Sequence, residues 1–246
     1  MRHRKDGIVI SHAQDVRVRR WSMAVHGHGA LSVFLTRVEH GLFDTAWFAR
    51  EALDCPPQIV GSVPRRQAEF FHGRLCARAA LLQHGLSCGD VPIGRSREPV
   101  WPPGIIGSIT HNQVLAAATV LPLGPYRGAG IDIESVMTAE SWRGMIDIVL
   151  SDAEIVCMQA MAHAAPFSVL MALVFSAKES FYKAMFSTVK RFLDFNTIVL
   201  TAIDTQQRTL SFRIADPLCA QLQGSEQCQI AYAIIDERTV CTAFIW

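Results

Sequence analysis

The fold is decided by two short stretches, Gly130-Ile131-Asp132-Ile133-Glu134 and Phe175-Ser176-Ala177-Lys178-Glu179-Ser180-Phe181-Tyr182-Lys183. Successive side chains of a strand point to opposite faces, so the two acids of the first stretch share one face and its two inner isoleucines pack on the other. In the second stretch, Glu179 and Lys183 are four residues apart and therefore lie one helical turn apart. The two stretches predict a strand and a helix that carry chemistry together.

The three acids, Asp132, Glu134 and Glu179, form an oxygen-rich set of the kind that binds Mg²⁺ together with substrate phosphates. Apolar neighbours place these acids near a core, where a carboxylate needs a counter-charge. Each motif also has a plainer interpretation. An Asp-x-Glu pair is common on strands, and a Lys-Glu pair with a second Lys four residues on is typical of a solvated helix face.

Composition adds a charge asymmetry to this interpretation. Half of the 246 residues are hydrophobic and the net charge is only +1. Residues 1–100 carry fourteen Lys/Arg against nine Asp/Glu, whereas residues 101–246 carry nine against thirteen. A basic half joined to an acidic half suits a small anionic ligand held by arginine on one side and by metal on the other.

The seven cysteines form no CxxC pair and leave one residue over. This pattern favours reduced thiols in a cytoplasmic protein over a disulfide framework or a zinc site. No apolar segment of signal-peptide length follows the basic N-terminus, and the nearly uncharged stretch Ala164–Ala177 is too short to span a bilayer. We therefore expect a cytoplasmic protein with no membrane association.

Periodicity predicts an α+β chain of two similar halves that meet near the glycine-rich residues 124–130. The expected elements are a loosely ordered segment 1–20, a strand at 32–37, a helix at 65–83, a loop at 99–107, an apolar run within 107–121 that fits a buried strand, a second strand from Ile131, a helix at 151–161 with a Ser151/Glu154 capping box, a helix at 169–186, and an antiparallel meander from Thr197 to Trp246.

A basic cluster gives a second signal. Arg66, Arg74 and Arg78 are spaced to share one face of the predicted helix, with Arg65 beside them. Arg97 precedes Pro99-Val100-Trp101-Pro102, a stiff turn whose aromatic plane could rest against a base. The near-neutral total charge argues against nucleic acid and favours a small nucleotide, although a solvated helix surface would show the same arginines.

The segment Gly107-Ser108-Ile109-Thr110-His111 adds a hydroxyl and an imidazole that could bind phosphate. A structural histidine at a strand end is the plainer alternative. The pair His26 and His28, surrounded by glycines, is interpreted as loop. No nucleophile elbow, P-loop or dinucleotide fingerprint is present.

Taken in order, these motifs resemble the phosphopantetheinyl transferases of the large two-lobed, Sfp type, especially the enterobactin-synthetase component D-like subgroup. The resemblance runs over about 130 residues, from Arg65-Arg66-Gln67-Ala68-Glu69-Phe70 through the motifs above to Arg191-Phe192-Leu193-Asp194-Phe195. It implies an α+β fold of two pseudo-symmetric lobes, residues 1–125 and 126–246, with the active site in the cleft between them, in a monomer.

The resemblance also implies the reaction, in which 4′-phosphopantetheine passes from coenzyme A to a serine of an acyl, peptidyl or aryl carrier protein, with release of adenosine 3′,5′-bisphosphate. Mg²⁺ would be held by Asp132, Glu134 and Glu179. The nucleotide end would be held by Arg66, Arg74, Arg97, Thr110 and His111. Glu179 would act as the general base, with Asp132 in reserve, and Lys183 would bind the diphosphate and neutralise its growing charge.

Two other functions remain open, namely a different Mg²⁺-dependent phosphotransfer enzyme and a non-catalytic module that binds coenzyme A or a carrier. The second would be expected to lack one of the three acids, all of which are present. Carriers of nonribosomal peptide, polyketide or fatty acid synthases are the expected partners, and siderophore-type peptide synthetases are favoured among them.

Overall fold

A computed structural model describes residues 17–86, 90–215, 218 and 225–246. The expectation of a loosely ordered segment 1–20 falls almost entirely outside these residues, as do Cys88 and Cys219. The chain divides into two compact units, one formed by residues up to Met23 together with Ala30–Ala129, the other by Ala24–Gly29 and Gly130–Trp246. The domain boundary expected at 125/126 stays a prediction.

The first unit contains a four-stranded sheet with the order β1-β2-β4-β3. Its strands are β1 (Arg19–Val25), β2 (Gly29–Arg37), β3 (Ile105–His111) and β4 (Leu115–Pro122), and its helices are α1 (Ala46–Arg50), α2 (Pro57–Val60) and α3 (Pro64–Gln83). Strand β4 pairs antiparallel with both β2 and β3. The predicted strand at 32–37 and the predicted helix at 65–83 are both confirmed.

Helix α3 forms because proline occupies its first turn, where a missing N–H costs nothing, and alanine and leucine fill its buried face. Phe71, Leu75 and Leu81 are fully buried in the first core. The helix ends at Gln83, and Gly85 follows with φ +72, a conformation that favours glycine. It packs against β3 and β4.

The expectation of one buried strand within 107–121 needs correction. The structure divides this stretch into β3 and β4. Strand β3 begins at Ile105, so the loop predicted at 99–107 ends earlier, at Gly104. The reason is Asn112, whose side-chain Oδ1 accepts hydrogen bonds from the backbone N–H of Val114 (2.9 Å) and of Leu115 (2.8 Å). Such local bonds stabilise a turn and interrupt the strand.

The second unit contains a five-stranded sheet with the order β5-β9-β8-β7-β6. Its strands are β5 (Ala129–Ser135), β6 (Ile198–Asp204), β7 (Thr209–Ile214), β8 (Gln227–Asp236) and β9 (Thr239–Ile245). Its helices are α4 (Ala139–Arg143), α5 (Ile146–Val149), α6 (Asp152–Ala160) and α7 (Phe167–Val189), followed by a 3₁₀ turn at Phe195–Thr197. Strands β6 to β9 pair in antiparallel succession, which confirms the meander.

Helix α7 lies on β9 and β8 and contributes more buried residues to the second core than any other element, including Met171, Phe181 and Met185. Helix α6 begins as predicted, because Glu154 Oε2 accepts hydrogen bonds from Ser151 N (2.8 Å) and Ser151 Oγ (2.9 Å). Each unit thus sets one long helix against a sheet, and the α+β class is confirmed. Within the described residues, no helix is long and apolar enough to cross a membrane.

Candidate active site

The carboxylates of β5 occupy the positions that strand alternation requires. Ile131 and Ile133 are fully buried, Asp132 is 3% exposed, and Glu134 is half-buried. Asp132 is therefore desolvated, which makes a nearby positive charge necessary.

That charge comes from helix α7. Lys183 Nζ donates a hydrogen bond to Asp132 Oδ1 at 2.5 Å, which makes a charge-assisted pair. Burial opposes protonation of Lys183, but the carboxylates of Asp132, Glu179 and Glu134 outweigh it and raise the pKa of this lysine. Lys183 therefore remains an ammonium ion at neutral pH.

The close approach of β5 to α7 depends on Gly130. A Cβ atom at this position would lie 1.9 Å from the backbone oxygen of Ser180 and 2.7 Å from the backbone nitrogen of Ala184. Only a residue without a side chain permits this backbone-to-backbone contact. The glycine of the first motif is thus what brings Asp132 next to Lys183.

The two remaining acids are electrostatically coupled to this pair. Burial and the charge of Asp132 raise the pKa of Glu134 to about 7, although Lys183 opposes the rise. Burial also raises the pKa of Glu179, with Lys183 opposing and Asp132 reinforcing the shift. A raised pKa makes a carboxyl a better proton acceptor than an ordinary Glu, as a general base must be.

In the described part of the chain, no group of three or more His, Cys, Asp or Glu side chains is arranged to hold a metal ion. Lys183 supplies the counter-charge to Asp132 in this arrangement. Carboxylate oxygens are ligands that suit Mg²⁺, which keeps several waters and commonly takes only one or two carboxylates besides substrate phosphates. A Mg²⁺ site formed by Asp132, Glu134 and Glu179 stays a prediction.

In the first unit, a cavity of about 290 Å³ collects most of the predicted anion-binding residues. Its lining includes Arg66, Arg74, Arg97 and His111. Thr110 is not among the lining residues; it is buried, whereas its neighbours Ile109 and His111 both line the cavity. The expected contact of Thr110 with phosphate stays a prediction.

Arg74 is the most deeply placed of these cations, at 7% exposure. Its guanidinium lies 4.3 Å from the centroid of the Phe70 ring, and its Nε has no hydrogen-bond partner among the described residues. Burial lowers the pKa of Arg74 to about 10, Asp90 opposing, so the side chain is still charged at neutral pH. A buried cation with an unsatisfied donor suits a bound anion.

Glu69 was not among the predicted site residues, although it organises the basic cluster. Its Oε1 lies 3.0 Å from Arg65 Nε, and its Oε2 lies 3.8 Å from Arg66 Nη1 and 3.6 Å from His111 Nδ1. Arg66 Nη1 is also 2.6 Å from His111 Nε2. The spacing of Glu69, three and four residues after the two arginines, was the available signal.

Arg78 and Trp101 have structural roles instead. Arg78 Nη2 pairs with Glu51 Oε2 at 2.6 Å, which turns this arginine away from the expected cluster. Trp101 Nε1 donates to the carbonyl of Gly107 at 2.9 Å, and two carbons of the indole would lie 2.9 Å from a Cβ atom at Gly107. Neither residue lines the 290 Å³ cavity.

Two family models match consecutive parts of the chain. The 4′-phosphopantetheinyl transferase N-terminal domain matches residues 56–121, and the 4′-phosphopantetheinyl transferase superfamily matches residues 128–242. The first range contains the basic cavity residues named above, and the second contains Asp132, Glu134, Glu179 and Lys183.

Individual relatives agree with these matches. Enterobactin synthase component D of Escherichia coli (strain K12) is 36% identical over 161 residues, covering 63% of this chain and 74% of that protein. The 4′-phosphopantetheinyl transferase Svp of Streptomyces mobaraensis is 35% identical over 159 residues, covering 65% and 63%. The 4′-phosphopantetheinyl transferase PptT of Mycobacterium tuberculosis (strain ATCC 25618 / H37Rv) is 36% identical over 145 residues, covering 59% and 62%. The chain belongs to the 4′-phosphopantetheinyl transferase superfamily.

Proposed function

We propose that this protein transfers the 4′-phosphopantetheine group of coenzyme A to a serine hydroxyl of a carrier protein and releases adenosine 3′,5′-bisphosphate. The observation that carries the proposal is the Asp132–Lys183 pair with its two coupled acids, within the segment that matches the superfamily. The activities in the names of the relatives agree with it.

Arg66, Arg74, Arg97 and His111 would bind the phosphates at the nucleotide end of coenzyme A. Their shared cavity and the unsatisfied Nε of Arg74 support this role. Arginine suits it because the planar guanidinium can donate two parallel hydrogen bonds to one phosphate.

Asp132, Glu134 and Glu179 would hold Mg²⁺ on the diphosphate of coenzyme A. When bound, the ion would neutralise charge on the phosphate oxygens and orient the diphosphate. The raised pKa values of Glu134 and Glu179 support this role, because they show desolvated carboxyls that a cation would stabilise in the charged form.

In the transfer step, the serine Oγ forms a bond to the phosphorus that carries pantetheine, and the bond from that phosphorus to the bridging oxygen of the leaving nucleotide breaks. The serine proton passes to the Glu179 carboxylate, with Asp132 as the reserve base. Lys183 stays protonated and stabilises the negative charge that grows on the leaving phosphate.

The acceptor is proposed to be a carrier protein or carrier domain of a nonribosomal peptide, polyketide or fatty acid synthase. The name of the Escherichia coli relative, enterobactin synthase component D, favours a siderophore-type peptide synthetase. A cytoplasmic monomer with no nucleic-acid or membrane partner remains part of the proposal, and the near-neutral net charge supports the lack of a nucleic-acid partner.

The test is incubation of the protein with coenzyme A, Mg²⁺ and a panel of carrier proteins, followed by intact-mass measurement of each carrier. We expect one carrier or more to gain the mass of phosphopantetheine and its serine variant to gain none. Omission of Mg²⁺ in the presence of EDTA should stop the gain. Binding of coenzyme A without modification of any carrier would contradict the proposal and favour a non-catalytic module.

A further inference from the structure

A buried ion pair joins Lys178 of α7, the residue before Glu179, to Glu154 of α6. Lys178 is 3% exposed and Glu154 is fully buried. Lys178 Nζ lies 2.8 Å from Glu154 Oε1 and donates a hydrogen bond to the carbonyl of Val149 at 2.7 Å. The alternative of a solvated helix face is therefore wrong for Lys178.

The partner carboxylate is itself fully engaged. Glu154 Oε1 also accepts from the backbone N–H of Leu200 at 2.8 Å, and Oε2 accepts from Ser151 N and Oγ. The pair consequently ties α7 to the end of α5, to the start of α6 and to β6. Four separate segments of the second unit meet at these two side chains.

Stability is a weak explanation for such a pair. The cost of removing two charges from water can match or exceed their attraction, and well-packed apolar residues often serve equally well. A buried pair can instead select one geometry, and here each charge is satisfied by partners from fixed elements, namely Val149, Ser151 and Leu200.

The geometry concerned is the rotation of α7 about its own axis. Side chains follow one another around a helix at about 100° per residue, so the direction of Lys178 determines the direction of its neighbour Glu179. Gly130 contacts α7 at Ser180 and Ala184. The helix is thus held at two points, and a small rotation would shift both Glu179 and Lys183 relative to Asp132.

We infer that Lys178 and Glu154 are positioning residues for transfer, which hold α7 in the rotation that presents Glu179 and Lys183 to the reacting groups. The Lys178 ammonium is satisfied by Glu154 and the carbonyl of Val149, so on this inference it acts through the placement of Glu179 and Lys183. This inference rests on the proposed function.

The test compares three variants at a temperature at which all remain folded by circular dichroism. Lys178→Met removes the charge at similar length, and Glu154→Gln removes the ion pair but keeps hydrogen-bonding atoms. Val174→Ala is the matched control, because Val174 is fully buried on the same helix but lies outside the pair. Transfer is measured as kcat and as KM for coenzyme A.

We expect both pair variants to lose at least about tenfold in kcat, the scale of a misplaced catalytic group, with KM for coenzyme A within about threefold of wild type. Val174→Ala should keep the kcat of the wild-type protein even if its melting temperature falls by as much as those of the two pair variants. Lys178→Met should bind adenosine 3′,5′-bisphosphate as wild type does, since the first-unit cavity is untouched.

Equal kcat values for the pair variants and Val174→Ala would overturn the inference and leave the pair a purely structural contact. A rise in KM with unchanged kcat would also overturn it, because it would place Lys178 in substrate binding. If Lys178→Met fails to fold, Glu154→Gln alone decides by the same comparison. Absence of transfer by the wild-type protein would refute the proposed function instead, so the two failures are distinguishable.

Discussion

At the scale of single residues, the proposed reaction centre depends on opposite charges that are kept close together around a buried carboxylate. Asp132 and Lys183 are 2.5 Å apart, and the Asp132 side chain is nearly enclosed. Such a pair is easily damaged, because removal of one charge leaves the other buried and uncompensated.

Asp132→Asn tests this centre with little change in size. We expect kcat for transfer to fall at least about a hundredfold, because the amide neither attracts Mg²⁺ nor balances Lys183. Asp147→Asn is the control, since Asp147 is exposed on α5. Steady-state kinetics over a range of Mg²⁺ concentration would check the result, and near-normal Mg²⁺-dependent turnover by Asp132→Asn would exclude the site.

Glu179→Gln tests the base. The amide cannot accept the serine proton, so we expect kcat to fall by about two to four orders of magnitude while coenzyme A still binds. Metal affinity has to be measured on the same variant. If excess Mg²⁺ restores kcat, Glu179 is a metal ligand and not the general base, and that role would be assigned to Asp132.

Arg74→Ala tests recognition of the nucleotide. Loss of a charged hydrogen bond should raise KM for coenzyme A by the equivalent of roughly 1.5–3 kcal/mol, about ten- to hundredfold. Dephospho-coenzyme A lacks the 3′-phosphate. If Arg74 binds that phosphate, Arg74→Ala should change KM for dephospho-coenzyme A only little. Arg95→Ala is the control, because Arg95 is exposed and does not line the cavity. Equal losses on both donors would place Arg74 at another part of coenzyme A.

At the scale of elements, the site depends on how closely β5 lies against α7. The contact is backbone to backbone at Gly130, so it tolerates no added atom. This approach places Asp132 of the strand next to Lys183 of the helix.

Gly130→Ala should therefore separate β5 from α7. We expect a loss of about 1–3 kcal/mol or more in the free energy of unfolding, together with a fall in kcat, because the added methyl group must displace backbone. Gly124→Ala is the matched control, since nothing lies within 4 Å of a Cβ atom there. Urea denaturation of both variants would check the difference, and equal stability would show that the contact is not needed.

At the scale of the whole molecule, stability should depend on alkaline pH through buried thiols. Cys228 is 9% exposed, and burial raises the pKa of its thiol to about 12 from the ordinary 9.0. The folded protein therefore favours the neutral thiol. The contribution of this thiol to the free energy of unfolding is complete below about pH 9 and is lost as the pH rises through 12.

Cys228→Ala should accordingly be less stable than wild type at pH 8 by the lost packing, and this difference should narrow above pH 9 by up to about 1.4 kcal/mol per pH unit. Cys157 is only partly buried, so the difference in stability between Cys157→Ala and the wild-type protein should change less as the pH rises. Denaturation at a series of pH values would measure both. A constant difference between wild type and Cys228→Ala across pH 8–11 would contradict the burial of this thiol.

The sequence by itself determined the main helices, several strands and the set of chemical groups, although it did not separate β3 from β4. Alternation in β5, helical spacing in α3 and α7, and the capping box of α6 are local patterns, and local patterns are set by bond geometry and near neighbours. The order of the motifs also identified the superfamily, which the family models confirm.

Only the tertiary structure decided which of those groups meet. Lys183 pairs with Asp132, which is 51 residues away in the sequence. Arg78 pairs with Glu51 and does not join the other predicted arginines, and Lys178 is buried against Glu154. A helix pattern gives the direction of a side chain but not its distant partner. That partner is determined by how backbones pack, as the contact of Gly130 with Ser180 shows, and such long-range packing leaves no periodic trace in the chain.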